Sequence, residues 1–281
     1  MGQKSLTCIK LGRNMNIFKK MFGGRGEQKS PVEGLIGSVH GLTDVGMDRD
    51  NNEDYFLVNS PKNLFIVADG MGGHNAGEVA SLNATEAVND HFTTEILAEI
   101  KGDKIKINDE LNDCLYITNQ KVLDLAENNE SCQGMGCTLV VALVERGALH
   151  MGHVGDTRAY LCDENGINLL TTDHSKVMDL VKAGQMTLAE ARQSPLKNEL
   201  SQAIGSPLGI IPDYNFTALK NGDKVLLCSD GLWDMLADEE IYRIVNQAQP
   251  AKSICEELVK KANDAGGHDN ITVVLFEYRE S

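Results

Sequence analysis

The chain has 281 residues, 42% of them hydrophobic and 24% charged, with a formal net charge of −15. This is the composition of an ordinary soluble globular protein, and no run of eighteen apolar residues offers a membrane span. An acidic body disfavours nucleic acid as a main partner.

Residues 1–30 oppose that balance with seven Lys/Arg and one Glu, which leaves −21 for the remainder. Residues 1–34, ending in "GGRGEQKSPVEG", read as a basic tail and linker. Leu11, Met15, Phe18 and Phe22 fall at helical spacing beside Lys10, Lys19 and Lys20, as in a weak amphipathic segment for a membrane surface or partner. Gly12, Asn14 and Asn16 oppose a helix there, so disorder is the expectation. Met15 and Met21 are alternative starts, and Leu6 stands where a myristoylation pattern needs Ser or Thr. The seven cysteines, an odd number without CxxC spacing, read as thiols in a reducing cytoplasm.

From Leu35 onward the pattern becomes regular. Strand-like runs occur at "LIGSVHG", "YFLVN", "LFIVAD", "CTLVVALV", "ALHMGHVGD", "RAYLCD", "INLLTTD", "KVLLCSD" and "ITVVLFEY". The spacing predicts one helix from about Ala76 to Ile100 and another over Asn108 to Glu127, with Leu111, Leu115, Val122 and Leu125 on one face. Ile254, Cys255, Leu258, Val259 and Ala262 mark a late amphipathic helix. "DENG" (163–166) and "KNGD" (220–223) read as hairpin links. Grouped strands with helices between the groups predict one α+β domain over 35–281, two stacked antiparallel sheets flanked by helices.

Acids recur at the strand ends. Asp69 closes "LFIVAD", Asp156 closes "ALHMGHVGD" and Asp230 closes "KVLLCSD". Asp269 precedes the last strand, and Glu53 and Asp54 precede "YFLVN". A lone Asp in such a place is ordinarily a turn or cap residue. Five such ends meeting at one rim would repel one another without a counter-charge, and an oxygen-only set suits Mg²⁺ or Mn²⁺ rather than zinc. Gly70, behind Asp69, lets a backbone carbonyl approach an ion. Two such ions about 3.5–4 Å apart share a water, lower its pKa and neutralise phosphate charge.

"DVGMDRDNNED", "VADGMGGHNAGEVAS", "GMGCTLVVAL", "GHVGDTRAYL", "TTDHS", "LLCSDGLWD" and "GGHDNITVV" stand in the order found in the metal-dependent protein phosphatases. From about Leu35 to Tyr278 the chain resembles the bacterial branch of the protein phosphatase 2C family. The resemblance implies a β-sandwich with two Mn²⁺ or Mg²⁺ ions and a third, weaker one. Asp69 would bridge the pair, the Gly70 carbonyl would ligate the second ion, and Asp230 and Asp269 would hold the first. Glu53 and Asp54 would reach the centre directly or through water, and Asp156 with Asp230 would hold the third ion. Arg49 stands where the family places its phosphate-binding arginine, and a guanidinium fork suits phosphate oxygens.

The implied reaction is hydrolysis of phosphoserine and phosphothreonine by in-line attack of a water bridging the two ions. Implied substrates are phosphorylated proteins made by a Ser/Thr kinase, together with that kinase, in the cytoplasm. Where the eukaryotic branch has a His after the Asp-Gly pair, this chain has Met71. The leaving-group proton then falls to His74 or to a metal-bound water, and a structural role for His74 stands beside the acid role. "KVMDLVKAGQ" and "TLAEARQ" read as two short helical pieces, and in the resemblance residues 175–205 correspond to the family's flap.

Rival chemistries fail on residues. No cysteine has an Arg six positions on, which excludes a cysteine phosphatase. "GGRGEQKS" puts Gln28 where a phosphate-binding loop needs Gly. The alternative from another class is a pseudophosphatase that binds phosphoproteins as a regulator. Retention of Asp69, Asp230 and Asp269 favours catalysis.

Overall fold

The computed structural model describes residues 36–72 and 76–280. The basic tail and His74 lie outside the described residues. Strands β1 (Ile36–Asp44), β2 (Asp54–Asn59) and β3 (Leu64–Met71) precede helices α1 (Ala76–His91), α2 (Thr94–Glu99) and α3 (Lys104–Asn128). Strands β4 (Gly136–Glu145), β5 (Ala148–Val154), β6 (Arg158–Asp163) and β7 (Gly166–Leu169) follow. Then come the short helices α4 (Lys176–Lys182) and α5 (Leu188–Gln193), and β8 (Asp213–Ala218) and β9 (Lys224–Cys228). Helices α6 (Asp230–Trp233), α7 (Asp238–Val245) and α8 (Ala251–Asp264) lead into β10 (Ile271–Tyr278).

The strands form two antiparallel sheets ordered β1-β10-β9-β6-β7 and β2-β3-β4-β5-β8. Strand alternation divides the apolar residues into three layers. Phe65 and Val67 of β3 meet Val225 and Leu227 of β9 and Val274 and Phe276 of β10 between the sheets. Phe65 stacks on Phe276 with ring centroids 4.4 Å apart. The opposite faces bury against helices, with Ile66, Leu139 and Val141 under α1 and α3, and Leu226, Val273 and Leu275 under α7 and α8. Full burial of each such side chain stabilises the fold by about 1.5–3 kcal/mol.

The long N-terminal helix expected over 76–100 is two helices. Thr93 ends the first run and caps the next, accepting from the Ile96 N–H, while Phe92 drops into the core. Helix α3 begins at Lys104 rather than Asn108, because Asp103 accepts from the Ile105 and Lys106 N–H groups. "DENG" is a hairpin joining β6 to β7. "KNGD" is not one, since β8 and β9 belong to different sheets and the turn crosses between them. Strand β8 escaped the sequence reading although Tyr214, Phe216 and Ala218 alternate with polar residues; it is short, lies at a sheet edge, and none of its six residues is buried.

Candidate metal centre

Strand parity places the acids. The row Phe65–Val67–Asp69 of β3 and the row Val58–Phe56–Asp54 of β2 face the space between the sheets, so both rows end in a carboxylate at the same rim. Asp54 and Asp69 are direct cross-strand partners in the register, an arrangement that is destabilising for two like charges. The other sheet delivers Asp230 just past β9 and Asp269 just before β10, whose ends are neighbours through the Val273–Cys228 pairing. Asp156 follows β5 on the same rim.

The electrostatics record the convergence. Burial, then the charges of Asp54, Asp230, Asp156 and Asp269, hold the Asp69 carboxyl well above the usual range. Asp54 is pushed up to about 8 by burial, against the Thr272 and Ser229 hydroxyls, which lower it. Burial and Asp269 raise Asp230 to about 6, and Asp69 lies within its hydrogen-bonding reach. Asp156 is raised by burial and by Asp230. Burial also raises Glu53.

The frame beneath these acids is specific. Ser229 Oγ donates to Asp54 Oδ2 at 2.7 Å and accepts the Thr272 N–H at 2.9 Å. Asn270 accepts the Glu53 N–H at 2.8 Å and donates to the Val45 and Asn51 carbonyls, each at 2.9 Å, pinning the 45–53 loop. Ser81 of α1 donates to the Glu53 carbonyl at 2.6 Å. A Cβ on Gly70 would lie 2.2 Å from the Gly77 carbonyl oxygen and 2.5 Å from that of Glu53, so only glycine fits between them. Arg49, half exposed, donates to Asp269 Oδ2 at 2.7 Å at the mouth.

Asp54 Oδ1 and Asp230 Oδ1 are buried without a hydrogen-bond partner. Orphaned carboxylate oxygens among mutually repelling acids suit hard divalent cations, and no His or Cys is needed in such a set. All seven predicted acid and glycine positions therefore meet at one end of the sandwich, with Arg49 beside them. Sequence reading missed Ser229, Asn270 and Thr272, whose signal was their place in the same inward-facing rows. It also missed Trp233, which donates to the Asp156 carbonyl at 3.1 Å and lies under the Arg158 guanidinium.

The profile of the family described as protein phosphatase 2C matches residues 47–275. The chain is 41% identical over 243 residues to protein phosphatase PhpP of Streptococcus pneumoniae, covering 85% of this chain and 96% of that one. Serine/threonine phosphatase Stp1 from Staphylococcus aureus has a similar structure, with a TM-score of 0.80 at 32% identity, over 90% of this chain and 98% of that one. The catalytic domain of serine/threonine protein phosphatase PstP, in complex with 2 manganese ions, matches with a TM-score of 0.74 at 30% identity, over 88% and 100% of the two chains. Fold and rim together define the class, a protein phosphatase built on a two-sheet sandwich. Within that class, the chain belongs to the protein phosphatase 2C family.

Proposed function

We propose that the chain hydrolyses phosphoserine and phosphothreonine in proteins, using two Mn²⁺ or Mg²⁺ ions held at the acidic rim and a third, weaker ion. The observation that carries this reading is the meeting of Asp54 and Asp69 from one sheet with Asp230 and Asp269 from the other, with buried oxygens left over. Asp69, the Gly70 carbonyl, Asp230 and Asp269 are the proposed direct ligands. Glu53 and Asp54 serve directly or through water, and Asp156 with Asp230 serves the third ion. When bound, the ions supply the Lewis acidity that makes water nucleophilic at neutral pH and neutralises phosphate charge.

The chain's own residues do the rest. Arg49 sits at the mouth on the pinned 45–53 loop, where its fork can pass from Asp269 to phosphate oxygens. Ser229 holds Asp54 in one orientation, so that carboxylate needs no rearrangement when charge develops. The substrates proposed are cytoplasmic phosphoproteins and the Ser/Thr kinase that makes them. The leaving-group proton is assigned in the same proposal to His74 or to a water at the rim, with a structural role for His74 as the alternative.

The test is phosphate release from a phosphothreonine peptide, with and without Mn²⁺, for the wild type and Asp230→Asn. Activity that requires the metal, and falls at least ~100-fold in the variant (about 2.7 kcal/mol), is expected. A folded wild type inactive with Mn²⁺, Mg²⁺ and several phosphopeptides would overturn the reading in favour of a phosphoprotein-binding regulator.

A further inference from the structure

A second polar cluster lies beside the acidic rim. His153, His174 and Asp213 bring three donor atoms within 4.8 Å of one another, and both histidines are buried. Both nitrogens of His153 lack a hydrogen-bond partner. The spacing is that of a transition-metal site, but the hydrogen bonding at His174 points elsewhere. The Gly155 N–H donates to His174 Nδ1 at 3.2 Å, which leaves the ring proton on Nε2. That Nε2 faces Asp213 Oδ2 at 3.2 Å, a carboxylate that favours the proton there. A metal-ligating histidine normally donates from its second nitrogen, and here the second nitrogen accepts.

His174 also donates its own backbone N–H to the Gly155 carbonyl at 2.7 Å. One residue thus holds both polar groups of Gly155. That glycine has φ +108°, and a Cβ on it would lie 2.3 Å from Thr138 Cβ, so the conformation needs glycine and must be held in place. The next residue is Asp156. Its carbonyl is fixed by Trp233, and Arg158 beyond it is locked by a two-pronged bond to Asp173 at 2.9 and 2.7 Å. Asp173 and His174 immediately precede the 175–205 segment, and the His174 carbonyl accepts the Ser201 N–H near its far end at 2.8 Å.

We propose that His174, oriented by Asp213, is a positioning residue that aims the Asp156 carboxylate and ties it to both roots of the 175–205 segment. This inference rests on the reading of Asp156 as a ligand of the weakest ion. The discriminating substitutions are His174→Ala, which removes the acceptor, and His174→Asn, whose amide oxygen keeps an acceptor near the Nδ1 position.

Mn²⁺ binding to the full chain is measured by calorimetry and by the electron spin resonance of free Mn²⁺, with circular dichroism as the fold control. The expected result is that His174→Ala weakens the weakest Mn²⁺ event about 10–100-fold, leaves the two tighter events in place, and that His174→Asn restores most of the loss. A folded His174→Ala with the wild-type isotherm would overturn the inference and leave the metal reading standing. So would a folded His174→Asn as impaired as the alanine variant. An extra tight ion lost with either His153→Ala or His174→Ala would replace the positioning role by a metal site. A wild type that binds no Mn²⁺ would remove the metal reading and this inference together.

Discussion

At the scale of single residues, the rim is a place where the fold tolerates repulsion. Asp54 is the sharpest case, 6% exposed and opposite Asp69, with one oxygen satisfied by Ser229 and the other by nothing in the protein. Ser229 itself is fully buried and serves two partners, donating to Asp54 and accepting from the Thr272 backbone. Removing a hydroxyl there strands a buried acceptor and a buried N–H, and each stranded group costs about 1–3 kcal/mol. Ser229→Ala is therefore expected to destabilise the protein by roughly 2–6 kcal/mol, read from urea unfolding. Equal unfolding midpoints for Ser229→Ala and wild type would show that the hydroxyl carries no such load. Gly70 belongs to the same scale, since its missing side chain is what lets β3, α1 and the Glu53 backbone meet.

At the scale of elements, helices secure the strands whose ends carry the acids. Helix α3 lays Leu111, Leu115 and Val122 across the outer face of β4 and β5, and Leu115 is fully buried. Leu115→Ala should cost about 2–5 kcal/mol, because the rigid sheet beneath collapses only partly into the hole. The check is the urea midpoint at unchanged slope; a loss under about 1 kcal/mol would mean that α3 packs loosely against the sheet. Helix α1 approaches β3 closely through Ala76, Ala80 and Ala84, and this contact lets Ser81 reach the Glu53 carbonyl. Two elements ended where local chemistry rather than apolar period dictated. Thr93 divides the expected long helix, and Asp103 starts α3 a turn early.

At the scale of the whole molecule, stability and metal occupancy are linked through pH. The raised carboxyls hold protons in the native state that the unfolded chain releases near pH 4. Native stability of the metal-free protein is therefore lost progressively as pH rises through the folded values of about 6 for Asp230 and about 8 for Asp54. Two histidines act in the opposite direction. Burial lowers His150 to about 4 and His153 to about 3, so below pH 6.5 the unfolded chain takes up protons that the native state refuses. Above pH 6.5 the histidines no longer contribute, so the melting temperature of the metal-free protein should fall between pH 6 and pH 8, where the carboxylates act alone. Mn²⁺ relieves only the carboxylate side, so the rise in melting temperature on adding it should be larger at pH 8 than at pH 6. Thermal melts in chelator and in Mn²⁺ across that range provide the measurement. A metal-free midpoint that climbs from pH 6 to 8, or a Mn²⁺ shift equal at both, would contradict it.

The apolar runs of β3, β9 and β10 were legible in the residues themselves, as was the order of Asp69, Asp156, Asp230 and Asp269 along the chain, because the composition of a buried strand and the chemistry at its end are local. The same locality made the short helices α4 and α5 readable from "KVMDLVKAGQ" and "TLAEARQ". Convergence was not local. Asp54 and Ser229 lie 175 positions apart and meet only because β2 and β9 face each other across the inter-sheet core. Strand β8 was hidden because its alternation spans only six residues at a sheet edge and none of them is buried, and "KNGD" misled because a turn's residues do not reveal which sheet receives the next strand. Asn270, Trp233 and His174 act through partners that sequence spacing cannot supply. The residues thus fixed which groups could do chemistry, and antiparallel pairing across two sheets decided which of them stand together, since hydrogen-bond register and side-chain parity are settled only when distant strands pair.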